Sequence, residues 1–316
     1  MSGLSAHVLD QRGLLQVSGP DVRGFLQGIV SNDVEKATPR HALWAAFLTP
    51  QGKYLHDFLI VELASDRTEV AEDAETGAEG RAEEGGAALL LDCEAARRAD
   101  LLKRLKLYKL RSKVTLADRS EALASVAIWG AGAPAAAGLP AEPGAARPFH
   151  GGSLLVDPRR VELGLRALIP RAALEPALAE LGAAPAELAA WEHARIAAGV
   201  PDGSRDLQIE KAILLENGFD ELGGVDWNKG CYMGQELTAR TKYRGLVKKR
   251  LVPVEIAGPL PAPGTPVTTA DGKAVGETRS AAGDTALALI RLDALDAELT
   301  ADGAKLTPHK PDWASF

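Results

Sequence analysis

Residues 228–239, "NKGCYMGQELTA", hold one of the chain's two cysteines among neighbours that a packing thiol does not need. Cys231 follows Lys229 and Gly230 and precedes Tyr232, Gly234, Gln235 and Glu236, with Arg240 one helical turn beyond Glu236. The reactive form of a thiol is its thiolate, which a nearby cation or a ring of backbone N–H groups favours. This stretch promises both. Lys229 supplies the charge, Gly230 lets the backbone turn close to the sulfur, and Gly234 is placed to open a helix whose N-terminus points back at the turn. Gln235 and Glu236 are suited to fix that turn through side-chain to backbone hydrogen bonds. A structural cysteine is the ordinary alternative, but glycines on either side of the sulfur argue against it.

No second catalytic group stands near in sequence. The six histidines (His7, His41, His56, His150, His193 and His309) lie far from Cys231 in sequence, so no nucleophile–base pair can be read off. The other cysteine, Cys93, makes no CxxC with it, so the sequence points to neither a disulfide framework nor a resident metal site. Of the 316 residues, 46% are hydrophobic and 25% charged, the profile of a globular chain with material for two or three packed units. No membrane-length apolar run and no signal-peptide pattern is present, and the cysteine usage suggests a reducing compartment. A cytoplasmic location is therefore expected.

The net charge of -7 is concentrated. Residues 64–88 carry eight acidic and two basic side chains, or -6, leaving about -1 for everything else. That run separates two strand-like stretches, "YLHDFLIVEL" and "AALLLDC", and reads as a long solvated loop of a hairpin. Two basic stretches oppose it, at 101–114 and 240–250. In the first, Leu101, Leu105 and Tyr108 recur at helical spacing, which puts an apolar stripe beneath and lysines outside.

Along the chain, "GLLQVSGPDVRGFLQGIVSNDV" reads as strand, turn and helix, ending in the turn-forming Ser31, Asn32 and Asp33. "HALWAAFLTPQGKYLHDFLIVEL" gives two strands about Pro50-Gln51-Gly52. The Ala/Pro/Gly-rich residues 131–147 read as a connector or surface excursion. "PAELAAWEHARIAAGVP" is a helix with Pro185 in its first turn and Gly199 and Pro201 as its stop, and it turns Trp191 and Arg195 inward. From Leu251 onward, short strand-like runs broken by Gly, Pro and Asp spell a small β-barrel or sandwich. The expected architecture is α+β: a core over 1–245 made of two α+β subdomains with the connector near 131–147, then a β-barrel domain over 246–316.

The stretch "GGVDWNKGCYMGQELTARTKYRG" closely resembles the K-G-C-[FY]-x-G-Q-E-x-x-x-[RK] motif of the YgfZ family, folate-dependent iron–sulfur cluster assembly or repair proteins related to the Iba57/Caf17 factors. "SGPDVRGFLQGIVSNDV", "TPQGKYLHDFLI", "LYKLRSKV" and "WEHARIAAGVP" extend the resemblance over most of the chain. It implies the three-domain T-protein-like fold of the folate-binding aminomethyltransferases, with a small C-terminal β-barrel. It also implies tetrahydrofolate or another reduced folate as ligand, a transient iron–sulfur cluster, and client enzymes or cluster carriers as partners. Cys231 becomes the working residue, framed by Lys229, Gly230, Tyr232, Gly234, Gln235, Glu236 and Arg240. Trp191 corresponds to a folate-contacting tryptophan, while Arg12 stands where some relatives carry an aromatic. A pterin offers adjacent N–H donors that suit a carboxylate, with Asp33 and Glu216 as candidates, and Lys109, Arg111 and Arg244 suit the glutamate tail. A folate-dependent aminomethyl or one-carbon transferase is the alternative reading. An RNA-binding module, resting on the basic stretches with Tyr108 and Tyr243, is the second, and neither nucleic acid nor membrane is the expected partner.

Overall fold

Two strands that follow one another at the start of the chain join different sheets, and this crossing organises the molecule. A computed structural model describes residues 3–64 and 87–316. Strand β1 (Leu4–Val8) enters a six-stranded sheet, whereas β2 (Arg12–Ser18) enters a five-stranded one. The five-stranded sheet continues with β3 (Leu43–Leu48), β4 (Tyr54–Leu63), β5 (Ala88–Glu94) and β6 (Thr115–Asp118), in the order β3-β4-β5-β2-β6. The six-stranded sheet adds β7 (Leu123–Trp129), β8 (Ala146–Phe149), β9 (Gly152–Val156), β10 (Leu165–Pro170) and β11 (Ala183–Pro185), in the order β11-β1-β7-β10-β9-β8.

The five-stranded sheet is covered on both faces, as side-chain alternation along β4 shows. Leu55, Phe58 and Ile60 join one core with Phe47 and Leu91, while Leu59 and Val61 join the other with Trp44 and Leu90. Over the first face lie α1 (Val22–Gln27), through Phe25 and Leu26, and α2 (Arg98–Lys109), through Leu101 and Leu105. Between the two sheets lies the second core. Leu155 and Leu168 meet Trp44 and Leu59 there, and the irregular segment from Val200 to Tyr232 is threaded into it. Phe219 stacks on Trp44 with ring centroids 3.9 Å apart.

Helices α3 (Ala133–Ala136) and α4 (Leu174–Glu180) pack on the six-stranded sheet. The chain then forms α5 (Leu188–Ala197), α6 (Gly203–Asp206) and α7 (Gln235–Tyr243). The barrel is closed by β12 (Lys249–Ala257), β13 (Pro266–Thr269), β14 (Ala274–Ala282), β15 (Thr285–Arg291), β16 (Leu299–Ala301) and β17 (Ala304–Pro308). Along β12 and β15, Val252, Val254, Ala288 and Ile290 fill its interior, while Leu251, Leu287 and Leu289 pack outward on Ile196 of α5. The fully buried Arg195 reinforces that seam by donating to Asp206, Glu192, Ser280 Oγ and the Val200 carbonyl. Leaving any of these acceptors unmet inside the protein would cost about 1–3 kcal/mol.

Several expectations change. The run 131–147 is no connector: Ala133, Ala137 and Leu139 are buried in the core of the six-stranded sheet, because small side chains let a short helix sit close to the strands. The chain switches sheets instead between β1 and β2 and between β6 and β7. Pro185 ends β11, pairing in parallel with Ala6 of β1, and the helix begins three residues later. The acidic run falls mostly outside the described residues, although its flanks pair as a hairpin at Leu63 and Ala88.

Candidate functional site

The motif loop is built from the core outward. Asp226 donates its backbone N–H to Ser31 O and turns the chain by accepting from the N–H groups of Asn228 (2.7 Å) and Lys229 (3.1 Å). Ser31 Oγ donates to Gly224 O at 2.6 Å, and Asn32 donates its side-chain amide to Gly223 O and Trp44 O. The polar triplet that reads as a helix stop is therefore the dock for the motif loop. Lys229 then reaches back, and its ammonium donates to three carbonyl oxygens, Gln27 at 2.9 Å, Val30 at 2.6 Å and Asn32 at 2.7 Å. Burial pulls its pKa down to about 8, against the opposing charges of Asp33 and Asp226. The expected role is thereby corrected: Lys229 spends its donors on the chain beneath and is a clamp, not a free cation offered to the thiol.

Beyond Cys231 the loop is locked again. Tyr232 is buried, and its backbone N–H donates to Gln235 Oε1 at 3.2 Å. Met233 donates its N–H to Gly28 O at 3.0 Å and packs on the core beneath α1 and α2. Gly234 takes φ +80° and opens α7 as its N-cap, where a Cβ would come within 2.5 Å of Thr49 O and 2.9 Å of Leu48 Cβ. Its counterpart is Gly52 in the β3–β4 turn, whose added Cβ would meet Gly234 O and Leu237 Cβ at 2.6 Å. Two glycines thus let the hairpin turn and the motif loop approach backbone to backbone.

Between these clamps Cys231 is exposed. Gly230 beside it has no left-handed φ, and apart from its chain neighbours no atom lies within 4 Å of an added Cβ, so no other part of the protein crowds this side of the sulfur. Gln235 fixes the turn as anticipated, but Glu236 does not. It faces solvent on α7 and accepts from Arg240 at 2.6 Å in a pair spaced one turn apart. Such exposed pairs contribute about 0.5 kcal/mol. Arg240, Tyr243 and Arg244 line an open groove of about 460 Å³ along α7.

The residues assigned to folate lie on separate elements of the chain. Trp191 is buried among Leu9, Ala127 and Leu188, with its indole N–H on Leu163 O at 3.1 Å and Arg166 over its ring, so the core reading of this residue holds and no face is open to a pterin. Asp33 caps a single 3-10 turn and accepts from Gln27 at 2.7 Å. Glu216 lies near Lys53 and Lys249, where burial raises its pKa. Lys109 and Arg111 sit at the end of α2, and Arg244 ends α7.

The sequence reading missed a buried ionic centre. Arg12 donates to Asp92 at 2.7 Å and lies 3.4 Å from Asp202, while Arg166 reaches Asp92 at 3.2 Å. Arg159 pairs with Asp157 at 2.8 Å. Beside them Asp57 accepts from Trp44 Nε1 and Tyr54 Oη, and burial raises its pKa. The signal was available: Arg12, Asp57, Asp92 and Arg166 are charges within otherwise apolar strands, and a buried charge is more informative than a buried leucine. The other thiol, Cys93, is buried in β5, and loss of solvent pushes its pKa up to about 12.

Residues 248–316 match the family model described as the CAF17 C-terminal beta-barrel domain. The mitochondrial iron–sulfur cluster assembly factor IBA57 of Homo sapiens is 34% identical, over 96% of this chain and 84% of that protein. The IBA57 homolog of Neosartorya fischeri, also mitochondrial, is 32% identical over 97% and 75%. Among solved structures, the glycine cleavage system aminomethyltransferase T from Bartonella henselae superposes with a TM-score of 0.75 at 15% identity, over 99% of this chain and 87% of that one. The chain thus has the aminomethyltransferase T-protein fold with a C-terminal barrel. The relatives overturn the cytoplasmic expectation, since they are mitochondrial proteins. Unpaired cysteines report only that disulfides are not required and do not single out the cytoplasm.

Proposed function

The chain belongs to the Iba57 family of iron–sulfur cluster assembly factors, and from that premise we propose that it supports assembly or repair of clusters in client enzymes, with Cys231 as the thiol that meets the cluster. The observation that carries this reading is an exposed sulfur held between two clamps, the partly buried Lys229 ammonium and the Gly52–Gly234 contact. A group fixed this way meets a partner without having to be ordered first.

The chemistry is ligand exchange. Cys231 loses its proton to solvent, its sulfur donates a lone pair to iron, and one iron–ligand bond to the donor breaks, with no change in electron count. Among the described residues no group of three or more His, Cys, Asp or Glu is placed to hold a metal. Clusters of this kind take about four protein ligands, so this chain would share its cargo with a partner that supplies the rest. The cluster is substrate here, passed between carrier and client.

A reduced folate is part of the proposal through the family resemblance of the motif, in the narrower YgfZ sense. Trp191, one of the six residues assigned to it, is sealed in the core, so no step is routed through the folate. Titrating tetrahydrofolate while following tryptophan fluorescence tests this part alone, and an unchanged signal at millimolar ligand would remove it.

The main proposal is tested by complementation. In a strain lacking this protein, the wild-type chain should restore cluster-enzyme activity and Cys231→Ser should not, with both accumulating equally. Full restoration by the serine variant would remove Cys231 from the mechanism.

A further inference from the structure

Among the described residues, the C-terminal end of α2 shows the most concentrated exposed apolar surface. Leu107 is 66% exposed, Leu110 is 86% exposed, and Tyr108 between them is 38% exposed. The helix explains the first of these. Leu101 and Leu105 point into the core, and at 100° per residue Leu107 stands about 200° round from Leu105, on the opposite face. Leu110 ends the helix at φ +44°, a backbone conformation uncommon for a leucine, with its side chain in solvent. Three large apolar side chains in four consecutive positions have a hydration cost that a covering surface removes, at ~25 cal/mol per Å².

The surround is basic. Lys103, Lys106, Lys109 and Arg111 flank these residues, and among the described residues none pairs with a carboxylate, whereas the neighbouring Arg97 and Arg104 both pair with Asp100. An apolar centre ringed by unpaired cations matches an acidic protein face that carries apolar residues of its own.

The patch adjoins the thiol loop through shared structure. Tyr108 meets the Phe47 ring edge-on at 5.7 Å, Phe47 bridges to Val30, and the Val30 carbonyl receives the Lys229 ammonium. α1, α2 and Met233 of the motif loop cover the same face of the five-stranded sheet. We propose that the outer surface of the α2 C-terminus, Leu107, Tyr108 and Leu110 with their lysines, docks an acidic protein that carries an iron–sulfur cluster and so brings it to the layer that bears Cys231. This inference rests on the function proposed above.

The test places a photocrosslinker at position 107 (Leu107→p-benzoylphenylalanine) in the full chain in cells, with the same residue at Leu260, an exposed leucine outside this face, as control. Irradiation should give an adduct at 107 and not at 260, with an acidic protein that purifies with bound iron and sulfide. Reversing charge with Lys106→Glu and Arg111→Glu should weaken that adduct by roughly tenfold. No adduct above the control, an adduct insensitive to charge reversal, a captured protein without a cluster, or cosedimentation with phosphatidylserine vesicles in place of protein capture would each overturn the inference. A second arm separates it from the thiol reading. Leu107→Asp with Leu110→Asp should keep the wild-type rate of Cys231 alkylation yet lose complementation. If this variant complements fully while Cys231→Ser does not, the docking face falls and the thiol stands; if Cys231→Ser complements, the thiol falls and the adduct at 107 judges docking by itself.

Discussion

The chain's two cysteines occupy opposite physical situations. Cys93 lies buried in β5 opposite Phe58 of β4, with no solvent to stabilise a thiolate. Cys231 lies in a loop without regular secondary structure, and yet everything around it is fixed: Asp226 and Lys229 before it, Tyr232 and Gly234 after it. A sulfur is made inert by burying it, and it is made available by anchoring the loop on either side of it instead.

The largest expected effects attack that contrast directly. Cys231→Ser should abolish function in the complementation assay without moving the urea midpoint, whereas Cys93→Ser should keep activity per folded molecule and lower stability by about 1–3 kcal/mol through an added buried hydroxyl. Gly234→Ala should come next. The left-handed backbone alone costs about 1–3 kcal/mol, and the Cβ would also collide with Thr49 and Leu48, so the thermal midpoint should fall and Cys231 alkylation should change with it.

The sealed side of the comparison can be probed with pH. His56, on β4, is held down to about 4 mainly by burial and then by Arg97. The unfolded chain takes up a proton below its ordinary value near 6.5, and the folded chain does so only near 4. Stability should therefore fall as pH drops through that window, by up to ~3 kcal/mol, and the slope of the urea midpoint against pH should be shallower in His56→Gln.

A smaller effect is expected on the open side. Lys229→Met leaves three carbonyls without their donor and should cost about 2 kcal/mol, read as a lower thermal midpoint. Smallest is Gly230→Ala, which meets open space and should stay within ~0.5 kcal/mol in the same measurement. A large loss at Gly230 would mean that the position beside the sulfur is packed and not open.

Much of this was legible in the residues. Gly234 before Gln235 announced α7, Pro50-Gln51-Gly52 announced the β3–β4 turn, and the short broken runs after Leu251 announced the barrel. These signals are local, because a turn or a helix end is decided by a few consecutive residues. The direction of Lys229 was hidden because its three acceptors lie about two hundred positions earlier in the chain. The same holds for Trp191: amphipathic spacing turned it inward, but only Leu163, Leu9 and Ala127 from distant parts of the chain make that interior a sealed core. Strand β11 was lost to the helix behind it because a three-residue strand has no period to read.

On the function proposed above, the exposed sulfur at position 231, and not the one at 93, performs the work. Treating the native protein with iodoacetamide, mapping each cysteine by mass spectrometry and assaying cluster-enzyme reactivation on the same samples tests it most directly. Activity should disappear in proportion to carboxamidomethylation of Cys231 while Cys93 stays unlabelled until denaturant is added. Full activity in a sample whose Cys231 is completely alkylated would contradict it.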